Sequence, residues 1–183
     1  MIDLLPEIRP LLADDRLNEL DPGSPNAAVR SQLQQLERLL APKVKDSAFA
    51  SACLAGLWLY HDFLDESHAI SQDLDTPEGS YWHALMHRRE PDYGNSKYWF
   101  RRVPQHPILA DLAKQAAALT NQAGTPKKSE FLLRQATWDP FAFVDLCESA
   151  ARRGGEVELL CRRIQRCEWE LLFCYCHERA FTS

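Results

Sequence analysis

The chain has 183 residues, of which 45% are hydrophobic and 26% charged, and it carries five tryptophans. That is enough apolar material for one sizeable core, and it excludes an intrinsically disordered segment. The formal net charge of -5 argues against a general polyanion binder, because non-specific nucleic-acid binding depends on lysines and arginines neutralising phosphates.

Helical periodicity dominates from end to end, and no stretch alternates β-branched residues between turn signals. Residues 4 to 20, interrupted by Pro6 and Pro10, read as a turn or two of helix and a wrapping arm. Asp21-Pro22-Gly23 breaks that segment. Ser24 and Pro25 are placed to cap and open a helix carrying Val29, Leu33, Leu36 and Leu40, which stops near Pro42. Asp46 or Ser47 caps the next helix, apolar nearly all round in its first half. It is expected to run from Phe49 to His68 as the buried centre of the fold.

Thr76-Pro77 starts another helix, which Pro91 ends after Glu90. Asn95 or Ser96 begins a short amphipathic segment to Val103, and Pro104 and Pro107 bracket a loop before a helix over 108–119. Asn121 to Lys128 is the clearest loop. A short helix over 129–135 follows, Asp139-Pro140 opens a further one, and Gly154-Gly155 separates it from a long final helix beginning at Glu156. The expectation is an all-α fold: one compact array of roughly eight helices over 1–183, with 1–25 as an amino-terminal arm.

The chemistry gathers in the middle. On a continuous central helix His61, Asp65 and His68 fall at i, i+4 and i+7 and share one face; on the Thr76 helix His83, His87 and Glu90 do the same. Opposed faces would bring four imidazoles and two carboxylates together. Three chemistries fit. His61, His68, His83 and His87 are candidate ligands of a divalent metal, in the manner of sites built inside helix bundles. His68 or His83 beside Asp65 has the arrangement of a base oriented by an acid, so these three are candidate catalytic residues. The bland alternative is a hydrogen-bonded network that ties helices together.

Arg88, Arg89, Lys97 and Arg102 cluster in sequence, and guanidinium groups that converge on a cleft bind carboxylate or phosphate. They are the candidate ligand-binding residues for a small anionic compound; ordinary pairing with nearby acids is the competing reading. Tyr81, Trp82, Tyr93, Tyr98, Trp99 and Phe100 interleave with these charges. They are expected mainly in the core, and an aromatic and arginine surface docking a protein partner is the alternative.

Residues 1–7 lack a basic region followed by a long apolar run, so no secretory signal is read, and no segment is apolar for long enough to span a bilayer. The six cysteines are therefore expected as reduced, mostly buried thiols in a cytoplasmic protein.

The run from Trp82 to Arg102, WHALMHRREPDYGNSKYWFRR, preceded by DESHAISQ over Asp65 to Gln72, resembles the signature of a family of uncharacterised, mostly hypothetical proteins. The resemblance covers about the central third of the chain and implies no activity and no catalytic residues. The functional expectation therefore rests on side-chain chemistry: a cytoplasmic enzyme or ligand-binding protein for a small anionic compound, or a non-catalytic interaction module.

Overall fold

Caps and stops in the sequence become element boundaries. The structure, a computed structural model, describes residues 4–103 and 105–182. Among these lie eight α-helices and no strand: α1 Arg30–Leu40, α2 Ser47–Tyr60, α3 Leu64–Gln72, α4 Pro77–Arg89, α5 Tyr93–Phe100, α6 Leu109–Gln122, α7 Pro140–Ala151 and α8 Glu156–Phe181. The all-α expectation holds. Met1 to Asp3, the start of the segment read for a signal, and Pro104, one of the two loop-bracketing prolines, fall outside the described residues.

Three caps work as the sequence suggests. The Asp46 carboxylate accepts from the amides of Ala48 and Phe49 at the start of α2, Thr76 Oγ1 accepts from Gly79 N at 3.0 Å on α4, and Asp139 accepts from Phe141 and Ala142 on α7. Each satisfies backbone donors that a helix start leaves without intrahelical partners. The arm contains one short 3-10 turn over Arg9–Leu12.

The segment expected from Asn95 or Ser96 begins at Tyr93, capped by Asp92, and two larger expectations need correction. The helix read from Pro25 begins only at Arg30, after a 3-10 turn at Ala27–Val29. Asn26 N is bonded to the His61 carbonyl at 3.0 Å, so this stretch is pinned as part of the arm. The second correction matters more: the central helix is not continuous to His68. It stops at Tyr60, and α3 starts afresh at Leu64. Asp62 between them has φ +64°, a left-handed conformation that a helix cannot contain. Its carboxylate is gripped by Arg89 at 2.6 Å, Arg16 at 2.6 Å and Asn18 at 2.7 Å, and this grip holds the break in place.

α2 remains the buried centre, with every residue from Ala52 to Tyr60 buried. It meets α4 closely at Gly56, where an added Cβ would sit 2.7 Å from the Trp82 ring. One apolar cluster joins α1, α2, α4 and the second half of α8; a second joins α6, α7 and the first half of α8 with Leu20, Leu132 and Trp138. Leu109 and Leu171 pack against both. Complete burial of a side chain such as Leu57 or Phe173 contributes on the order of 1.5–3 kcal/mol, so these clusters supply the main drive to fold.

Candidate functional site

α3 crosses against α4, and that contact brings His68 to His83 and His87. The last two lie one turn apart on α4 with Nε2 facing Nε2 at 2.9 Å. The His68 ring meets them edge-on, its centroid 4.6 Å from that of His83 and 5.5 Å from that of His87. One nitrogen from each of the three rings can be chosen so that all lie within 4.8 Å of one another. His83 and His87 are buried, while His68 is half-buried and leaves the group a side toward solvent.

The surroundings fix two of the rings. Glu90, at the carboxy-terminal cap of α4, accepts from His87 Nδ1 at 3.0 Å. Trp99 of α5 stacks on His83 at 4.0 Å between centroids and 18° between planes. The Ser71 backbone lies beside the His83 ring and favours its protonation, yet His83 Nδ1 itself is buried and makes no hydrogen bond. Burial, helped by the neighbouring imidazoles of His87 and His68, holds His83 down to about 3. Burial also lowers His87, against the opposing pull of Glu90. Both rings are thus kept neutral with lone pairs available, the form in which histidine binds a metal.

The other expected members lie elsewhere. His61 is not part of the group: at the break after α2 its Nε2 bonds the Leu11 carbonyl at 2.8 Å and its Nδ1 faces Asn26 at 3.3 Å, so it fastens the arm. The i, i+4, i+7 face assumed for His61, Asp65 and His68 required one unbroken helix. Asp65 is exposed and hydrogen-bonds to none of the imidazoles; the acid that orients a histidine is Glu90.

The four cations do not converge. Arg88 is buried against α8, bonded to Glu168 at 2.7 Å, and Glu168 also accepts from the Tyr81 hydroxyl at 2.9 Å. Arg89 is consumed by Asp62 and by the carbonyls of Asp21, Pro22 and Leu59. Lys97 pairs with Asp145, and Arg102 pairs with Asp75 at 3.0 Å while lying over Trp99. Consecutive helix positions point about 100° apart, so neighbours in sequence such as Arg88 and Arg89 face different elements. Lys97 does line a surface cleft of about 600 Å³ together with Arg152, but the acids Asp21, Asp92 and Glu148 outnumber these two bases, an arrangement that does not favour an anion.

Glu168 and Asp62, which hold Arg88 and Arg89 in the core, did not stand out in the sequence, and Trp99 was read only as one of the aromatics expected in the core. Glu168 sits in the middle of an otherwise ordinary helix face, and Trp99 reaches His83 only through the packing of α5 on α4. Glu90, by contrast, was visible three residues after His87. All six cysteines are free thiols, five of them buried and Cys174 half-buried. No helix among the described residues is long and apolar enough to cross a membrane. No protein-family model, no curated protein and no solved structure matches the chain.

Proposed function

We propose that the chain is a metalloprotein in which His68, His83 and His87 bind one divalent transition metal of the zinc type and leave a coordination position open on the solvent side. The observation that carries this reading is the convergence of three imidazoles, two of them buried and kept neutral, with no carboxylate among the inner donors. An all-nitrogen donor set suits zinc, copper, nickel, cobalt or iron and is unsuited to magnesium or calcium, which take oxygen ligands. A tetrahedral zinc centre with bonds near 2.0–2.1 Å needs ligand atoms about 3.3 Å apart. His83 and His87 already lie near that spacing, and His68, half-buried on a short helix, is the one that must swing in.

Three protein ligands with one open position characterise sites that act on a bound molecule more than sites that merely brace a fold. Neutral imidazoles leave the metal's double positive charge uncompensated, so the open position attracts a small anion or lowers the pKa of a bound water. This supports an enzyme or binding protein for a small anionic compound, with the metal, in place of the arginines, as the anion's partner. A reducing, cytoplasmic setting fits the free thiols.

A second reading draws on the unbroken hydrogen-bonded line from Glu90 through His87 to His83, which has the form of an acid orienting a base without any metal. A docking surface has less in its favour: the exposed apolar residues Leu39, Tyr98, Leu133, Phe141 and Leu159 are spread over several elements.

Elemental analysis of the purified protein, followed by titration with zinc and with cobalt(II), tests the metal reading. One equivalent per chain, with cobalt absorption bands that shift on adding azide or phosphate, is the expected result. Failure to bind either metal, or equal binding by a His68→Ala, His83→Ala, His87→Ala triple variant, overturns it in favour of the metal-free line.

A further inference from the structure

The hydrogen-bond polarity of the histidine pair does not close. A carboxylate accepts and cannot donate, so the 3.0 Å contact to Glu90 requires the proton of neutral His87 to sit on Nδ1. His87 Nε2 is then a bare lone pair. It faces His83 Nε2 at 2.9 Å, and that contact is a hydrogen bond only if His83 carries its own proton on Nε2. The consequence falls on the far side of the His83 ring: Nδ1 becomes an acceptor, and it is buried with no donor to meet it. The Ser71 backbone favours a proton on the His83 ring. A buried polar atom without a partner is costly, and here the cost follows from Glu90's choice of tautomer.

We propose, building on the metal reading above, that Glu90 is a positioning residue that sets the tautomers of this pair, and that loading the site with zinc reverses the tautomer of His83 while leaving that of His87 unchanged. A cation between the rings needs both Nε2 atoms bare. His87 is already in that state because Glu90 holds its proton on Nδ1. His83 must move its proton from Nε2 to Nδ1, and the acceptor there becomes a donor. The move is a proton relocation through solvent with no change in the ring's charge, so atoms and charge balance. At His87 the arrangement is the outer-shell pattern of metal-bound histidines, in which the distal N–H is held by a carboxylate or a carbonyl. Glu90 thus prepares one ligand in advance, and His83 completes the pair by moving its proton away from the side that the cation takes.

The test uses the full-length chain with nitrogen-15 in its imidazoles, read by long-range proton-nitrogen correlation with and without zinc, in wild type and in Glu90→Ala and Glu90→Gln. In metal-free wild type, His87 is expected as the Nδ1–H form and His83 as the Nε2–H form; with zinc, both are Nδ1–H. Glu90→Ala is expected to mix the His87 tautomers and to weaken zinc binding by about 10- to 100-fold, with Glu90→Gln, which still offers an acceptor oxygen, falling between. A metal-free His87 protonated on Nε2, a His83 tautomer that zinc leaves unchanged, or zinc affinity in Glu90→Ala equal to wild type overturns the proposal while leaving the metal site standing. A wild-type chain that binds no zinc, yet shows the stated metal-free tautomers, overturns the metal reading and the zinc-driven reversal together, and leaves Glu90 as the residue that sets the pair. Thermal melts of both variants matching wild type without zinc separate this role from a structural one.

Discussion

Arg89 Nη2 meets Asp62 Oδ1 at 2.6 Å, and this contact fastens the end of α4 to the turn at which the central helix breaks. Both side chains are buried, and Asp62 also holds Arg16 and Asn18 of the arm. Asp62→Ala is expected to cost about 3–5 kcal/mol, because it leaves Arg89 buried without its counter-charge. Arg16→Ala, which removes a partly exposed partner, is expected to cost much less. Urea denaturation of the two variants checks the order, and equal costs would show that the break does not depend on the Arg89 pair.

The Arg88–Glu168 pair makes a second comparison. Glu168→Ala orphans a buried guanidinium and the Tyr81 hydroxyl and is expected to destabilise by about 3–5 kcal/mol. Replacing the group together, Arg88→Met with Tyr81→Phe and Glu168→Leu, is expected to recover most of that loss, since it removes the polar groups that need partners. Retention of metal binding by the triple variant in a zinc titration would confirm that Arg88 acts in the core, apart from the histidine site.

Acid should loosen the fold through its histidines. His83 is held at about 3 against an ordinary value of 6.5, and His61 and His87 are lowered too, so the unfolded chain takes up protons that the folded chain refuses. Stability is then fully present above about 6.5 and declines as pH falls through the window down to about 3. Thermal melts across that range are expected to show a steady fall in Tm, with a shallower slope in His83→Gln. An unchanged slope in that variant would mean that His83 is not held neutral.

Zinc should offset part of that decline. At 100 times its Kd, a ligand that binds only the folded chain adds about 2.7 kcal/mol. The gain in Tm on adding zinc is expected in wild type, absent in His83→Ala, and smaller at low pH where protons compete for the ligands. Calorimetry with and without chelator measures it.

Gly56→Ala tests the closest helix contact. The added methyl would stand 2.7 Å from the Trp82 ring, which also packs beside Trp169, whose Nε1 donates to the Gly56 carbonyl at 2.8 Å, so the ring has little room to move. A loss of roughly 1–3 kcal/mol is expected from overpacking, to be read from denaturant midpoints.

Helix type and most boundaries were legible because caps are local: Asp46, Thr76-Pro77 and Asp139-Pro140 each announce a start by chemistry within three residues. The break at Asp62 was not, because its causes lie 44, 46 and 27 residues away in Asn18, Arg16 and Arg89. The same distance effect decided the site. His83, His87 and Glu90 share a helix face and could be read from spacing, whereas the separation of His61 from His68 followed from a turn that no local signal announced. The arginines misled in the opposite direction, since closeness along a helix does not bring side chains to one point.

The arm over residues 5–19 is held at the end of α2 by Tyr60, His61 and Asp62, and a second time by α8. Arg162 bonds the carbonyls of Leu17 and Asn18, Arg166 that of Arg16, and Gln165 that of Glu19, while Leu5 N donates to His177 Nε2. The partners are separated by 144 to 172 residues of sequence. During synthesis the arm therefore meets its partners at the end of α2, 42 to 50 residues on, well before its partners on α8 exist. The α8 anchors must wait until that helix has emerged, and contacts so remote in sequence are slow to form. Truncation within α8 would leave the arm held on one side only, which makes the completion of α8 the moment at which the arm is locked from both sides.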